Sequence, residues 1–262
     1  MSAAGDIAVE VRDSIAVVRL RNPERRNAMS TAMWRQLAAF ASSVTARGDI
    51  RVVIVRGDGD RAFSAGADIS GFEAARTGAS AAKAYDDLVE DTCRAIEAVP
   101  QPTIALIKGA CMGAGVSVAA SCDMRLAADD AFFAVPAARL GLGYDPRGIS
   151  RFLRIFGAAA TRQLIYTAER LPAARAHGLG AVHTLAAAGE IDAVAEQMAR
   201  TIAGNAPLTI SAAKLAIRAL TSGDENLRSE ADRLYVAADT SADYAEGRRA
   251  FAEKRPPRFT GT

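Results

Sequence analysis

The sequence predicts an α/β protein, strands and helices alternating in its first part and helices following them. The pattern of an apolar strand, a loop of small residues and a helix occurs twice before residue 122. From Ile149 onward the periodicity is nearly all helical. The chain has 262 residues, 50% hydrophobic and 24% charged, the balance of a globular protein. A chain of this length buries roughly 75% of its unfolded surface, so its core needs no disulfide or metal to hold it.

Residues 7 to 20 alternate on either side of Arg12-Asp13-Ser14 and read as a β-hairpin. Ser30 to Val44 reads as a helix with Met33, Leu37, Phe40, Ala41 and Val44 on one face. RVVIVRG is a buried strand, followed by the glycine-broken loop DGDRAFSAGADISG. A helix from about Ala81 to Val99 carries Tyr85, Leu88, Val89 and Ile96, and Pro100 and Pro102 stop it. TIALIKG is the next strand, leading into the small-residue loop ACMGAG and the short helix VSVAASC. MRLAA and AFFAV are further short strands, and PAARLGLGYDPRG is a loop. The helices beyond are broken by the strand-like GAVHTL and by Asn205-Ala206-Pro207. The sequence has no low-complexity linker and no clear repeat. The architecture repeats instead.

Charge and cysteine usage narrow the function. Lys plus Arg is 32 and Asp plus Glu is 30, a net charge of +2, too balanced for nucleic acid or an anionic membrane as main partner. The lysines are Lys83, Lys108, Lys214 and Lys254, and the other cations are arginines. Cys93, Cys111 and Cys122 form no C-x-x-C pair, which suggests buried thiols in a reducing compartment. Asp6 and Glu10 interrupt the start and strand alternation begins at once, unlike a signal or transit peptide. No apolar run reaches about 18 residues. The expectation is a cytoplasmic protein with no membrane and no nucleic-acid partner.

Both small-residue loops follow apolar strands, and small side chains there leave backbone N–H groups within reach of a ligand. The second loop opens a helix, whose first N–H groups lack internal partners and carry positive partial charge. Two such donors converging on a carbonyl oxygen form an oxyanion hole. The glycines can equally serve only to let strands and helices pack closely. Other motifs fit less well. Gly113-Ala114-Gly115 lacks the third glycine of a dinucleotide fingerprint, because Val118 takes that place, and no phosphate-binding G-x-x-x-x-G-K-[ST] exists. Gly115-Val116-Ser117-Val118-Ala119 approaches a nucleophile elbow, with Asp145 and then His177 or His183 following in hydrolase order. Ser117, however, falls inside the helix rather than on a tight turn.

Four motifs in order, NPERRNAMS, AFSAGADI, IKGACMGAGVSVAASCDMRLA and EGRRAFAEKRPPRF, resemble the enoyl-CoA hydratase/isomerase (crotonase) family. PAARLGLG with FGAAATRQLIYTAERLPAARAHGLGAV carries the likeness through the middle, so it covers nearly the whole chain. The resemblance implies a crotonase-type spiral of ββα turns over residues 1–200, with the acyl-CoA site. It implies a C-terminal helical trimerisation region over residues 201–262, assembled as a homotrimer or a dimer of trimers. By position, the N–H groups of Ala67 and Ala114 would hold the thioester carbonyl. Arg26, Ala28, Ala65, Asp68 and Ile69 would border the CoA, and Phe251 and Lys254 would reach the CoA of a neighbouring copy. No cofactor beyond the CoA moiety of the substrate, and no metal, is implied.

The chain departs from the family hydratases at two decisive positions. Where those carry the two glutamates that activate water, this sequence has Ser117 and Ala137. Serine is a poor base at neutral pH and alanine has no proton chemistry. Asp145 matches an aspartate that is nucleophile in halobenzoyl-CoA dehalogenases and base in dienoyl-CoA isomerases. Tyr144 matches a tyrosine of methylmalonyl-CoA decarboxylases. Neither whole set is present, since the dehalogenase tryptophan falls at Ala137 and the decarboxylase histidine at Ala67. Asp145 can also cap the following helix or pair with Arg147. The expectation is an acyl-CoA enzyme that stabilises a thioester enolate between Ala67 and Ala114, with Asp145, Tyr144 and Ser117 as acid/base candidates. The rivals are a thioesterase using Ser117 or Asp145, and a non-catalytic acyl-CoA-binding protein.

Overall fold

The computed structural model describes residues 5–68 and 78–262, which leaves Ile69 outside the described residues. Strands β1 (Asp6–Arg12) and β2 (Ile15–Arg21) form the expected antiparallel hairpin, Ile7 opposite Leu20 and Arg12 opposite Ile15. Its two turn residues, Asp13 and Ser14, both have positive φ, the turn that matches strand twist. Helix α1 (Thr31–Val44) is capped by the Ser30 hydroxyl, which accepts the Met33 N–H at 3.2 Å. It buries Met33, Trp34, Leu37, Ala41 and Val44.

Three turns of strand, strand and helix follow. The first has β3 (Val52–Gly57), β4 (Ala62–Ser64) and α2 (Ala79–Ala98). The second has β5 (Thr103–Ile107), β6 (Ala110–Met112) and α3 (Ala114–Ser121). The third has β7 (Met124–Ala128), β8 (Phe132–Ala134), a 3-10 turn (Pro136–Leu140) and α4 (Pro146–Thr167). The first strand of each pair joins a six-stranded sheet in the order β1-β2-β3-β5-β7-β10, and the second joins a four-stranded sheet in the order β4-β6-β8-β9. Strands β9 (Leu171–Pro172) and β10 (Thr184–Ala186) close the two sheets around α5 (Ala173–Gly178). This is the ββα spiral.

Strands β4 and β6 lie where the sequence reads as loop. AFS is buried throughout and ACM nearly so, and each is three residues long. With both faces covered, neither carries the alternation that marks a strand. PAARL likewise forms a 3-10 turn within the expected loop. The strands of both sheets, α1, α3 and the buried side of α2 share one core, with the cysteines Cys93, Cys111 and Cys122 all inside it.

Helix α6 (Ile191–Ala203) buries Ile191, Ala195 and Ala199 against the larger sheet. Helices α7 (Pro207–Ser222) and α8 (Glu225–Asp239) form an antiparallel pair hinged at Gly223, and α9 (Ala242–Glu253) follows. Their outer side leaves Ile217, Leu220, Tyr235 and Val236 more than half exposed. The last residues fold back on α9, where the Asp243 carboxylate accepts the Thr260 and Gly261 N–H groups at 2.7 and 2.9 Å. No described helix is long and apolar enough to cross a membrane.

Candidate active site

The two small-residue loops meet at one cavity of about 740 Å³. The first loop is fixed by Met29, which donates its N–H to the Gly66 carbonyl at 2.8 Å and accepts the Asp68 N–H at 2.9 Å. A parallel bridge of this kind uses the groups on either side of Ala67, so Ala67 turns its own N–H away from Met29. In the second loop Gly113 donates to the Ala134 carbonyl at 2.9 Å, and Ala114 begins α3. The N–H of a first helical residue has no partner within its helix. Among the described residues neither the Ala67 nor the Ala114 N–H has an acceptor.

Glycine sets both directions. Gly66 has φ +108 and Gly113 has φ +43 with ψ −106, backbone that side chains rarely tolerate. Each glycine orients the peptide N–H of the alanine after it. A Cβ built on Gly113 would lie 3.9 Å from the Gly66 Cα, so the two loops touch at these glycines. Gly115 has a different role, because a Cβ there would lie 2.8 Å from the Ser64 Cβ. It lets α3 rest on β4. The glycines thus differ in what they do: Gly66 and Gly113 set peptide directions, and Gly115 allows close packing.

One turn into α3, the Ser117 hydroxyl lies 3.1 Å from the Tyr144 hydroxyl. Tyr144 packs against Phe152, ring centroids 5.4 Å apart, and burial pushes its phenol well above the usual value. Its hydroxyl therefore keeps its proton at neutral pH. Asp145 caps α4, accepting the Arg147 N–H at 2.8 Å, and pairs with the Arg147 guanidinium at 2.6 Å. Capping and pairing thus occur together. Arg147 continues to Asp87 of α2 at 2.9 Å, and the Arg147 bonds hold the Asp145 carboxyl below its usual range. Two further cavity carboxylates are paired with arginine: Asp68 with Arg25 at 2.6 Å and Glu90 with Arg151 at 3.0 Å.

Of the residues singled out from sequence, Ala28, Ala65, Ala67, Asp68, Ala114, Ser117, Tyr144 and Asp145 line this cavity, and so does Ala137. Arg26 does not. It ends the 3-10 turn Pro23–Arg25 with φ +50 and lines a separate small cleft with Asn27, Asp58 and Arg61, while its neighbour Arg25 faces the cavity. Phe251 is 88% exposed on α9 and Lys254 closes that helix in the left-handed conformation; neither lines this chain's own cavity. Neither histidine lines it either. His177 bonds the Val182 carbonyl, and His183 accepts the Arg125 N–H.

Tyr85, Asp86, Val89 and Glu90 of α2 form one wall of the cavity, together with Leu142 and Arg151, none of which the sequence reading names as site residues. The signal of this wall is the apolar face of α2, which reads as core but is shared between core and cavity. Trp34 links the two, donating its indole N–H to the Tyr85 hydroxyl at 3.3 Å.

Comparison with known proteins gives the chain a family. Residues 10–262 match the family model for enoyl-CoA hydratase/isomerase. A crotonyl-CoA hydratase of Syntrophomonas wolfei is 30% identical over 97% of both chains. A methylmalonyl-CoA decarboxylase of Escherichia coli is 31% identical over 95% of both. The crystal structure of an enoyl-CoA hydratase/carnithine racemase from Magnetospirillum magneticum superposes with a TM-score of 0.92 at 34% identity, covering 99% of this chain and 97% of the other.

Proposed function

The chain belongs to the enoyl-CoA hydratase/isomerase family, and from that premise we propose that it protonates an acyl-CoA enolate left when the α-carbon loses a carboxylate. The carrying observation is the Ser117–Tyr144 hydroxyl pair one helical turn from the Ala114 N–H, in a cavity where Asp68, Glu90 and Asp145 are each held by arginine and Asp86 lies on the α2 side. The thioester oxygen accepts the Ala67 and Ala114 N–H groups, each worth about 2.7–4 kcal/mol as charge gathers there. The bond from the α-carbon to the carboxylate breaks, its electron pair enters the enolate and carbon dioxide leaves. The Tyr144 hydroxyl then gives its proton to the α-carbon, and water restores the phenol through Ser117.

Each feature suits that order of events. Apolar surroundings disfavour a charged carboxylate and favour its conversion to neutral carbon dioxide. An enolate formed in this way needs a proton donor and no protein base, and the Tyr144 phenol keeps a proton to give, while a thioester enolate carbon is basic enough to take it. Hydration needs a group to activate water, and Ser117 and Ala137 stand where hydratases have glutamates. Asp145 acts as a positioning residue that holds Arg147 and the start of α4, and with them Tyr144. Ala28, Ala65 and Asp68 border the CoA. Phe251 and Lys254 complete the site of a neighbouring copy in a homotrimer or dimer of trimers, a reading supported by the exposed apolar side of α7 and α8.

The test is mass spectrometry after incubation with methylmalonyl-CoA and with crotonyl-CoA in deuterated water. Loss of carbon dioxide with one deuterium gained at the α-carbon supports the proposal. Addition of water to crotonyl-CoA, or release of free CoA, overturns it in favour of hydration or hydrolysis. Tight binding with no turnover of any thioester supports the second reading, a carrier, which the arginine-held carboxylates also fit.

A further inference from the structure

The substrate cavity is separated from a second cleft, of about 950 Å³, by a buried ion pair. Three helices run from one space to the other. Helix α3 starts at the first with Ala114 and Ser117 and reaches the second with Ala120, Ser121 and Cys122, a path of about 10 Å. Helix α2 passes from Tyr85 and Val89 to Arg94 and Glu97, and α4 from Gly148 to Arg154 and Ile155. Glu90 of α2 and Arg151 of α4 line both spaces.

These two side chains close the passage. Their exposures are 8% and 3%, and the Arg151 guanidinium spans both Glu90 oxygens at 3.0 and 3.2 Å. Arg151 also bonds Glu97 at 2.8 Å, and Arg94 bonds Glu90 at 3.2 Å. A Cβ on Gly148 would lie 3.0 Å from the Tyr144 ring, and Arg151 follows Gly148 by three residues on the same face of α4. A chain seated with its thioester between Ala67 and Ala114 passes Ser117 and Tyr144 before it meets the pair.

We infer that the Glu90–Arg151 pair is a stop that sets the length of the acyl chain. This rests on the reading that the cavity holds an acyl-CoA thioester. An apolar chain can lie against a paired, hydrogen-bonded wall. To pass it, the chain must force apart the buried carboxylate and guanidinium and leave each uncompensated, which is far more costly than displacing an apolar side chain. Once the stop is reached, further methylenes gain no burial. The stop therefore sets which member of a homologous series is the substrate, and the second cleft is the room that the wall withholds.

The test is calorimetric binding of butyryl-, octanoyl-, dodecanoyl- and hexadecanoyl-CoA to the whole protein and to the double variant Glu90→Leu/Arg151→Met. Replacing both partners by apolar groups of similar size removes the charges without orphaning one. In the parent protein, affinity rises by up to about fourfold for each methylene buried, then levels or falls once the chain reaches the pair. In the double variant the ratio of hexadecanoyl-CoA affinity to butyryl-CoA affinity is at least about tenfold higher than in the parent. A parent series that keeps rising through hexadecanoyl-CoA overturns the inference without need of the variant. The same break in a folded double variant also overturns it. Failure of the parent to bind even butyryl-CoA removes the acyl-CoA reading itself, a result distinct from an unbroken series.

Discussion

The Ser117 and Tyr144 hydroxyls, 3.1 Å apart, join the helix that starts at the candidate oxyanion hole to the loop that enters the next helix. Ser117→Ala leaves the half-buried Tyr144 phenol without this partner, which costs about 0.5–1.5 kcal/mol. The expected outcome is a lower melting temperature and a fall in turnover, with the KM for the thioester little changed. Paired melting curves and steady-state kinetics measure both effects. Unchanged turnover would detach Ser117 from proton delivery.

Glycine substitutions separate orientation from packing. Gly113→Ala forces a side chain into φ +43, strain of about 1–3 kcal/mol, and rotates the peptide that presents the Ala114 N–H. Turnover should fall by about a hundredfold to a thousandfold, the scale of losing one hole donor. Gly115→Ala places its Cβ 2.8 Å from the Ser64 Cβ and costs about 1–3 kcal/mol of overpacking. Its first effect is on the melting temperature. Equal effects of the two variants on turnover per folded molecule would count against the assigned directions.

The Asp145 carboxylate has its pKa lowered by Arg147. A lowered pKa contributes stability that is present above the unfolded value, about 3.9, and is lost as pH falls through the folded value. Stability should therefore change little through this group from neutrality down to about pH 5, and fall in stronger acid. Tyr144, raised above the phenol range, keeps its proton on the alkaline side. The kcat/KM profile for decarboxylation should be flat from about pH 5 to about pH 9. An inflection near neutrality, seen with intact folding, would mean that another group carries the proton.

Asp145→Asn tests positioning against catalysis. Asparagine still caps a helix, so α4 should start as before while the Arg147 ion pair is lost. The expected loss of turnover is less than about tenfold, whereas removal of a general base costs about a hundredfold to ten thousandfold. Asp86→Asn provides the matching control on the α2 side of the cavity. A large loss in either variant, with binding retained, would install a carboxylate in the mechanism.

Much of the fold is legible in the sequence, because long periodic segments carry their own signal. The hairpin around Asp13-Ser14 forms, the helix ending at Val44 is capped by Ser30, and the loop opening a helix places Ser117 inside that helix. Strands β4 and β6 are illegible because three buried small residues have no alternation to read. The two loops and the Tyr144–Asp145 stretch are legible through their glycines and motif positions. The charged wall is not, since Glu90 and Arg151 are 61 residues apart and each alone reads as a solvated helix face. Arg25 and Arg26 differ in facing because Arg26, which ends the 3-10 turn, is itself left-handed, which spacing alone does not reveal.

The central claim is that Tyr144 delivers the proton to an enolate held by Ala67 and Ala114. The most direct measurement is the stereochemistry of deuterium at the α-carbon after decarboxylation in deuterated water, for the parent protein and for Tyr144→Phe. The account predicts a single configuration from the parent protein. It predicts slower turnover with scrambled configuration from Tyr144→Phe, whose enolate takes its proton from water. The same rate and the same single configuration from Tyr144→Phe would contradict it.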